Sequence, residues 1–245
     1  MRLGLILAII AITAGCALPF PAKREELFKS AQKLEKDKNH IDAFSYYEEY
    51  LRRYPEAKES DTALGRMFEI ALKNWEIFWG KEKLIKLAEK YPAAPLAGEA
   101  IFKAGEYLYR NTYYDEATLV FETLIKSYPE NERVEAALFM WGESELKQYE
   151  GEDYESMPLD NAKTQYERLL KHYPESAFTE KAKKRLRQIT KEFARREFKT
   201  AMYYRKHGKP KSMKAYLESI IKNYPESDYA QQAEKMLSEI PDSGD

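Results

Sequence analysis

Few residues here are equipped for covalent chemistry. Cys16 is the single cysteine of the chain, so it cannot close an intramolecular disulfide. It is left as a nucleophile, a free core thiol or a point of attachment. His40, His172 and His207 stand far apart in sequence, with no partners at metal-ligand spacing. Neither a glycine-rich phosphate loop nor a serine or cysteine nucleophile motif is present. No catalytic residue, metal site or cofactor is expected beyond what becomes attached to Cys16, and the chain reads as non-enzymatic. Its 40 Lys and Arg against 41 Asp and Glu give a net charge of −1, which speaks against a general nucleic-acid binder.

The surroundings of Cys16 suggest attachment. Residues 1–15 offer one positive charge at Arg2, a ten-residue apolar run and a small-residue exit through Thr13, Ala14 and Gly15. That is the layout of a secretory signal, and the run is shorter than the roughly 20 apolar residues that cross a bilayer. Ala14-Gly15-Cys16 resembles the lipobox of bacterial lipoproteins, with Thr13 where that family usually has Leu. The resemblance implies cleavage before Cys16, a covalent lipid on its thiol and a membrane anchor for a tether over residues 16–24. Ala17, in place of an Asp, favours the outer membrane. An ordinary signal peptide with an incidental cysteine is the alternative.

The rest of the chain must position whatever the anchor delivers. Tyr-Pro recurs at residues 54, 91, 128, 173 and 224, with gaps of 37, 37, 45 and 51 residues, the sign of a solenoid. In the third unit Gly105, Ala117, Phe121 and Pro129 stand 12, 4 and 8 residues apart, which resembles the tetratricopeptide (TPR) pattern. Small residues let two antiparallel helices cross closely, the aromatic ring fills the groove beside them, and Pro ends the second helix. Ala31, Ala43, Tyr47 and Pro55 repeat the template, as do Gly142, Ala162, Tyr166 and Pro174 with eight extra residues. Ala201, Met213, Leu217 and Pro225 close the series. The second unit departs, with Phe68 at the small position, although Gly80 and Leu84 fit. The expected fold is all-α, a TPR solenoid of five helix-turn-helix repeats. A loop over the acidic stretch 149–160 fits the eight extra residues. Residues 179–207 contain neither Gly nor Pro before Gly208 and predict one long helix of roughly 40 Å, joining repeats four and five ahead of a capping helix. The division expected is repeats one to three over 25–133, repeats four and five with the cap over 134–240, and a tail over 241–245.

The C-terminal half carries a narrower likeness. Arg185-Leu186, Ala194, Glu197, Ala201, Tyr203-Tyr204, Gly208 and Tyr224-Pro225 resemble the BamD family, TPR lipoproteins of the β-barrel assembly machinery. His207 stands where that family commonly has Arg. Lys211-Ser212-Met213 replaces its paired alanines. The resemblance implies a scaffold on the periplasmic face of the outer membrane. Its C-terminal repeats would bind the periplasmic domains of the barrel assembly protein, its N-terminal repeats would receive unfolded outer-membrane proteins, and companion lipoproteins would join. The alternative is another envelope TPR adaptor, Tol-associated or engaged in cell-wall synthesis, which "AALFMWGESELK" resembles.

TPR geometry turns the first helix of each repeat toward the concave groove. Phe28, Lys29, Arg66, Phe102, Lys103, Tyr109, Arg110, Phe139 and Lys147 are therefore the candidate client-binding residues, since aromatic faces among cations suit an extended peptide with bulky side chains and a terminal carboxylate. Arg195, Arg196 and His207 are the candidates for partner binding. The 11 basic residues from Lys181 to Lys206 read chiefly as a solvated face, with an acidic partner or anionic lipid as the functional reading.

Overall fold

A computed structural model describes residues 20–74, 80–151 and 155–239. Among them are eleven α-helices and no strand. The helices pair as α1 (Arg24–Lys36) with α2 (His40–Arg53), α3 (Ser60–Asn74) with α4 (Gly80–Lys90), and α5 (Ala97–Arg110) with α6 (Tyr114–Ser127). Then follow α7 (Val134–Gln148) with α8 (Met157–His172), α9 (Thr179–Lys206) with α10 (Pro210–Asn223), and a single α11 (Asp228–Ser238). This is an all-α TPR solenoid of five helical pairs with a closing helix. Cys16, the signal segment and the tail 241–245 lie outside the described residues.

Tyr-Pro makes the corner between repeats. Each of these tyrosines caps a second helix, its N–H bonded to the carbonyl four residues back, as in Tyr54 to Tyr50 and Tyr173 to Leu169. The tyrosine carbonyl then accepts from the residue three positions on, at Ala57, Ala94, Asn131, Ser176 and Ser227. Proline between them has no N–H to lose and holds the preceding residue out of the helical region. The corner within a repeat is also repeated. Lys38, Thr112 and Gly208 occupy the left-handed region with φ of 60°, 67° and 64°. The next residue in each case bonds back to Leu34, Leu108 or Tyr204, the six-residue closure of a Schellman cap.

Close helix crossing explains the small positions. A Cβ on Gly105 would lie 2.6 Å from the Phe121 ring, and one on Gly142 would lie 2.6 Å from the Tyr166 ring. Repeat two lacks that device. Phe68 is fully buried at the equivalent position, and α3 and α4 touch at few points while α3 packs on α2 and α4 on α5.

The buried apolar residues fall into two cores. The larger runs from Leu27 to Ile189 and passes unbroken across residues 133 and 134; the smaller joins Ala194 and Ala201 of α9 to Met213, Leu217, Ile220, Ala230 and Ala233. The 28-residue α9, roughly 42 Å long, serves both. Between the cores Phe193 stacks on Tyr224 at 6.4 Å. The insert after α7 is fastened there, Tyr149 donating to Glu192 at 2.5 Å and Arg196 to the Gly151 carbonyl at 3.4 Å.

Candidate functional site

The first helices of successive repeats are linked by charge. Arg66 on α3 clasps Glu35 on α1, Arg133 before α7 meets Glu99 on α5 at 2.5 Å, and Arg185 on α9 meets Glu143 on α7 at 2.6 Å. Arg66 and Arg185 each stand eleven residues after a repeat proline. In both places a tyrosine from the second helix joins. The Tyr47 hydroxyl donates to Glu35 at 3.0 Å and the Tyr166 hydroxyl to Glu143 at 2.6 Å. Burial, then the neighbouring carboxylate, pushes both phenols well above the ordinary tyrosine range, because an anion there would be desolvated and repelled. The Glu143 bond and burial act in opposite senses on Arg185, and the bond prevails, raising its affinity for the proton. These are latches between repeats, well suited to holding a shape.

The candidate residues separate on this frame. Phe28 is half-buried, its ring 5.9 Å from Tyr47 and 5.2 Å from Tyr50, with Lys29 exposed beside it. Arg66 is 44% exposed and also reaches Glu69 at 2.5 Å. Lys103 pairs with Glu106 at 2.7 Å. Tyr109 is half-buried against Tyr114 at 5.5 Å; burial, with Glu143 second, raises its pKa. Arg110 and Lys147 are exposed at the ends of α5 and α7.

Two expected groove aromatics are core residues instead. Phe102 is 5% exposed and packs 5.9 Å from Phe121; Phe139 is 9% exposed and lies between Tyr166 and Phe178. Their rings fill the crossing of paired helices and present no open face. Arg195 and Arg196 are likewise occupied. Arg195 grips Glu192 at 2.5 and 2.8 Å, and Arg196 holds the insert through Gly151 and the Tyr149 hydroxyl. His207 alone of the three is exposed, its ring tilted against Tyr203 at 4.0 Å with Nδ1 2.8 Å from the Tyr203 carbonyl.

What the sequence reading did not anticipate is a cleft in repeat two. Where α3 stands off α4, a cavity of about 880 Å³ opens between α3 and the corner at residues 91–96. Leu64, Gly65, Tyr91, Pro92 and Leu96 line it, with Asp61, Glu69 and Lys90 among its charged residues. A Cβ on Gly65 would meet nothing within 4 Å, so this glycine answers no packing need. A polar cavity of about 380 Å³ adjoins Arg66, walled by Gln32, Glu35 and Tyr47. The signal for the cleft was Phe68 in a small position with a glycine three residues earlier. Among the described residues no group of three or more His, Cys, Asp or Glu could hold a metal, and no helix is long and apolar enough to cross a membrane.

The family model described as YfiO, outer membrane lipoprotein, matches residues 69–239. The chain belongs to the YfiO family. Among curated proteins, the outer membrane protein assembly factor BamD of Xylella fastidiosa, in strains Temecula1 and 9a5c, is 21% identical over 164 residues. The match covers 63% of this chain and 56% of each relative, so the chain spans a little over half the length of the curated relatives it matches. Solved structures with a similar course include a tetratricopeptide repeat protein from Parabacteroides merdae, 12% identical with a TM-score of 0.43 over 88% of this chain and 87% of that one. Pseudomonas aeruginosa PilF is 15% identical with a TM-score of 0.37, over 87% and 97%. Membership of the YfiO family agrees with the likeness carried by residues 185–225.

Proposed function

We propose that this chain is a non-enzymatic scaffold lipoprotein of the outer-membrane β-barrel protein assembly machinery, anchored through lipid on Cys16. Its N-terminal repeats receive the C-terminal strand of unfolded outer-membrane proteins, and its C-terminal repeats hold the periplasmic domains of the barrel assembly protein. Family membership supports the assembly role, and the repeat-two cleft is the observation that supports a client seat. An extended strand ending in a bulky side chain would place it between Leu64 and Leu96, over Gly65. Phe28, Lys29, Arg66 and Tyr109 remain candidates along the same groove. Residues 20–22 support anchoring from below repeat one, since Arg53 and Tyr54 of that repeat's corner donate to the carbonyls of Pro21 and Ala22 at 3.0 and 3.2 Å.

Co-purification from mildly solubilised native membranes tests the assignment. Recovery of a large outer-membrane barrel with repeated periplasmic domains is expected; recovery of Tol or cell-wall proteins would overturn it. For the client seat, Gly65→Leu is expected to weaken capture of a client C-terminal peptide about tenfold, the equivalent of roughly 1.4 kcal/mol, with no loss of thermal stability. Unchanged capture would remove the cleft from the reading.

A further inference from the structure

The corner between α9 and α10 gathers unpaired positive charge. Arg205 and Lys206 end α9, Lys209 precedes α10, and Lys211 and Lys214 lie in its opening turns. No carboxylate side chain occurs between Glu197 and Glu218. Arg205, Lys206, Lys209 and Lys211 are exposed and form no ion pair among the described residues, and Lys214 reaches Glu218 only at 3.9 Å. Elsewhere on the solenoid Arg53, Arg66, Arg133, Arg185 and Arg195 each grip a glutamate. Here the one charge contact of note is Lys209, 5.9 Å over the Tyr204 ring. Tyr203, 56% exposed and backed by His207, projects beside the cations.

The charge also runs against local helix physics. Helices α1, α2, α3, α5, α6, α7, α8, α9 and α11 carry an acid in the first turn, but α10 carries none. Lysines stand there instead, opposing the positive end of the helix dipole. A local rule kept at nine described helix starts and broken at one marks a surface shaped by something outside the fold.

We propose that this corner is a second membrane contact, binding an anionic phospholipid surface through Arg205, Lys206, Lys209, Lys211 and Tyr203. Three of the four cations are lysines, which the cores of protein interfaces disfavour. Their flexible stems radiate from a corner, as contact with mobile headgroups requires, and not from a flat face. Clusters of four to eight Lys and Arg are the usual recognition of anionic bilayers, and an exposed tyrosine sits well at headgroup level. The corner belongs to the last repeat, whereas the chain enters against the first, where Phe20 packs on Tyr46. Contacts at both ends would lay the solenoid along the membrane. The inference stands whether or not Cys16 carries lipid.

A chain beginning at Ala17 retains every described helix, from Arg24–Lys36 to Asp228–Ser238, and is the form tested. It is mixed with phosphatidylcholine vesicles, with or without phosphatidylglycerol. Binding is expected only to the phosphatidylglycerol vesicles and should weaken with salt. Each cation removed should lower partitioning about fivefold, so Lys206→Gln/Lys209→Gln/Lys211→Gln loses roughly a hundredfold. The charge-matched Lys33→Gln/Lys86→Gln/Lys171→Gln should bind as the parent does. Hydrogen exchange of the parent chain on the vesicles should slow over residues 203–214 specifically. Absence of binding, equal losses in both triples, or protection elsewhere would overturn the proposal. Intact vesicle binding by the corner triple, with loss of an acidic protein from native-membrane pull-downs, would overturn it in favour of a protein partner.

Discussion

In repeat four, Gly142 lets the Tyr166 ring lie against α7, its hydroxyl reaches Glu143, and Arg185 closes the latch from the next repeat. Repeat two has Phe68 where Gly142 stands, Leu84 where Tyr166 stands, and an open cleft between α3 and the corner at residues 91–96. The two repeats share the Tyr-Pro corner, with Tyr91 and Tyr173 each capping the second helix. The contrast teaches that a small residue at the helix crossing lets a TPR pair close, and that a bulky one there leaves room beside α3 without breaking the solenoid.

Substituting the two glycines should separate the repeats most sharply. Gly142→Leu drives a side chain into the Tyr166 ring and should cost about 3 kcal/mol or more, read as a lower urea midpoint. Gly65→Ala meets open space and should stabilise by up to about 1 kcal/mol through helix propensity. Equal destabilisation by both would erase the distinction.

The latches come next. Arg185→Met leaves Glu143, 8% exposed, with only the Tyr166 hydroxyl, and should cost about 2 kcal/mol for a charged hydrogen bond. Arg66→Met, at a pair with the arginine 44% exposed, should cost under about 1 kcal/mol. Denaturant unfolding of the two single variants decides the order.

The smallest difference at neutral pH grows in alkali. Tyr50 is pushed up to about 12 by burial and then its bond to Glu59, and Tyr224 to about 12 by burial and then the Glu197 charge; Tyr166 is pushed higher. A raised folded pKa stabilises fully below the unfolded value near 10 and loses that contribution as pH climbs through the folded value. Stability should therefore decline from about pH 10 through about pH 12, with tyrosinate absorbance rising as the fold is lost. Tyr166→Phe should flatten that decline, whereas a flat profile in the parent chain would contradict the buried hydrogen-bonded phenols.

Tyr-Pro spacing and the Gly105, Ala117, Phe121 series made the solenoid readable, because each residue type answers a contact within its own repeat. The insert and the long α9 were readable as departures from that period. Contacts outside that template were not. Phe102 and Phe139 sit at the margin between groove and crossing, and one helix alone cannot tell which side wins. Arg196 looked free because its partners, Tyr149 and Gly151, lie 47 and 45 residues away. The cleft needed Phe68 and Gly65 to be read together, as a displaced glycine and not a degenerate repeat.

The parting of the two cores within α9 has a mechanical consequence. From Thr190 to Lys206 the helix extends about 24 Å at 1.5 Å per residue, with apolar packing of its own on one side of the junction and of the main body on the other. Any relative motion of the two cores would be levered along it. A tilt of about 10° at the junction would carry the α9–α10 corner through about 4 Å over an arm of that length. Tyr149, Glu192 and Arg196 sit beside that junction, so the insert of repeat four would resist such a tilt.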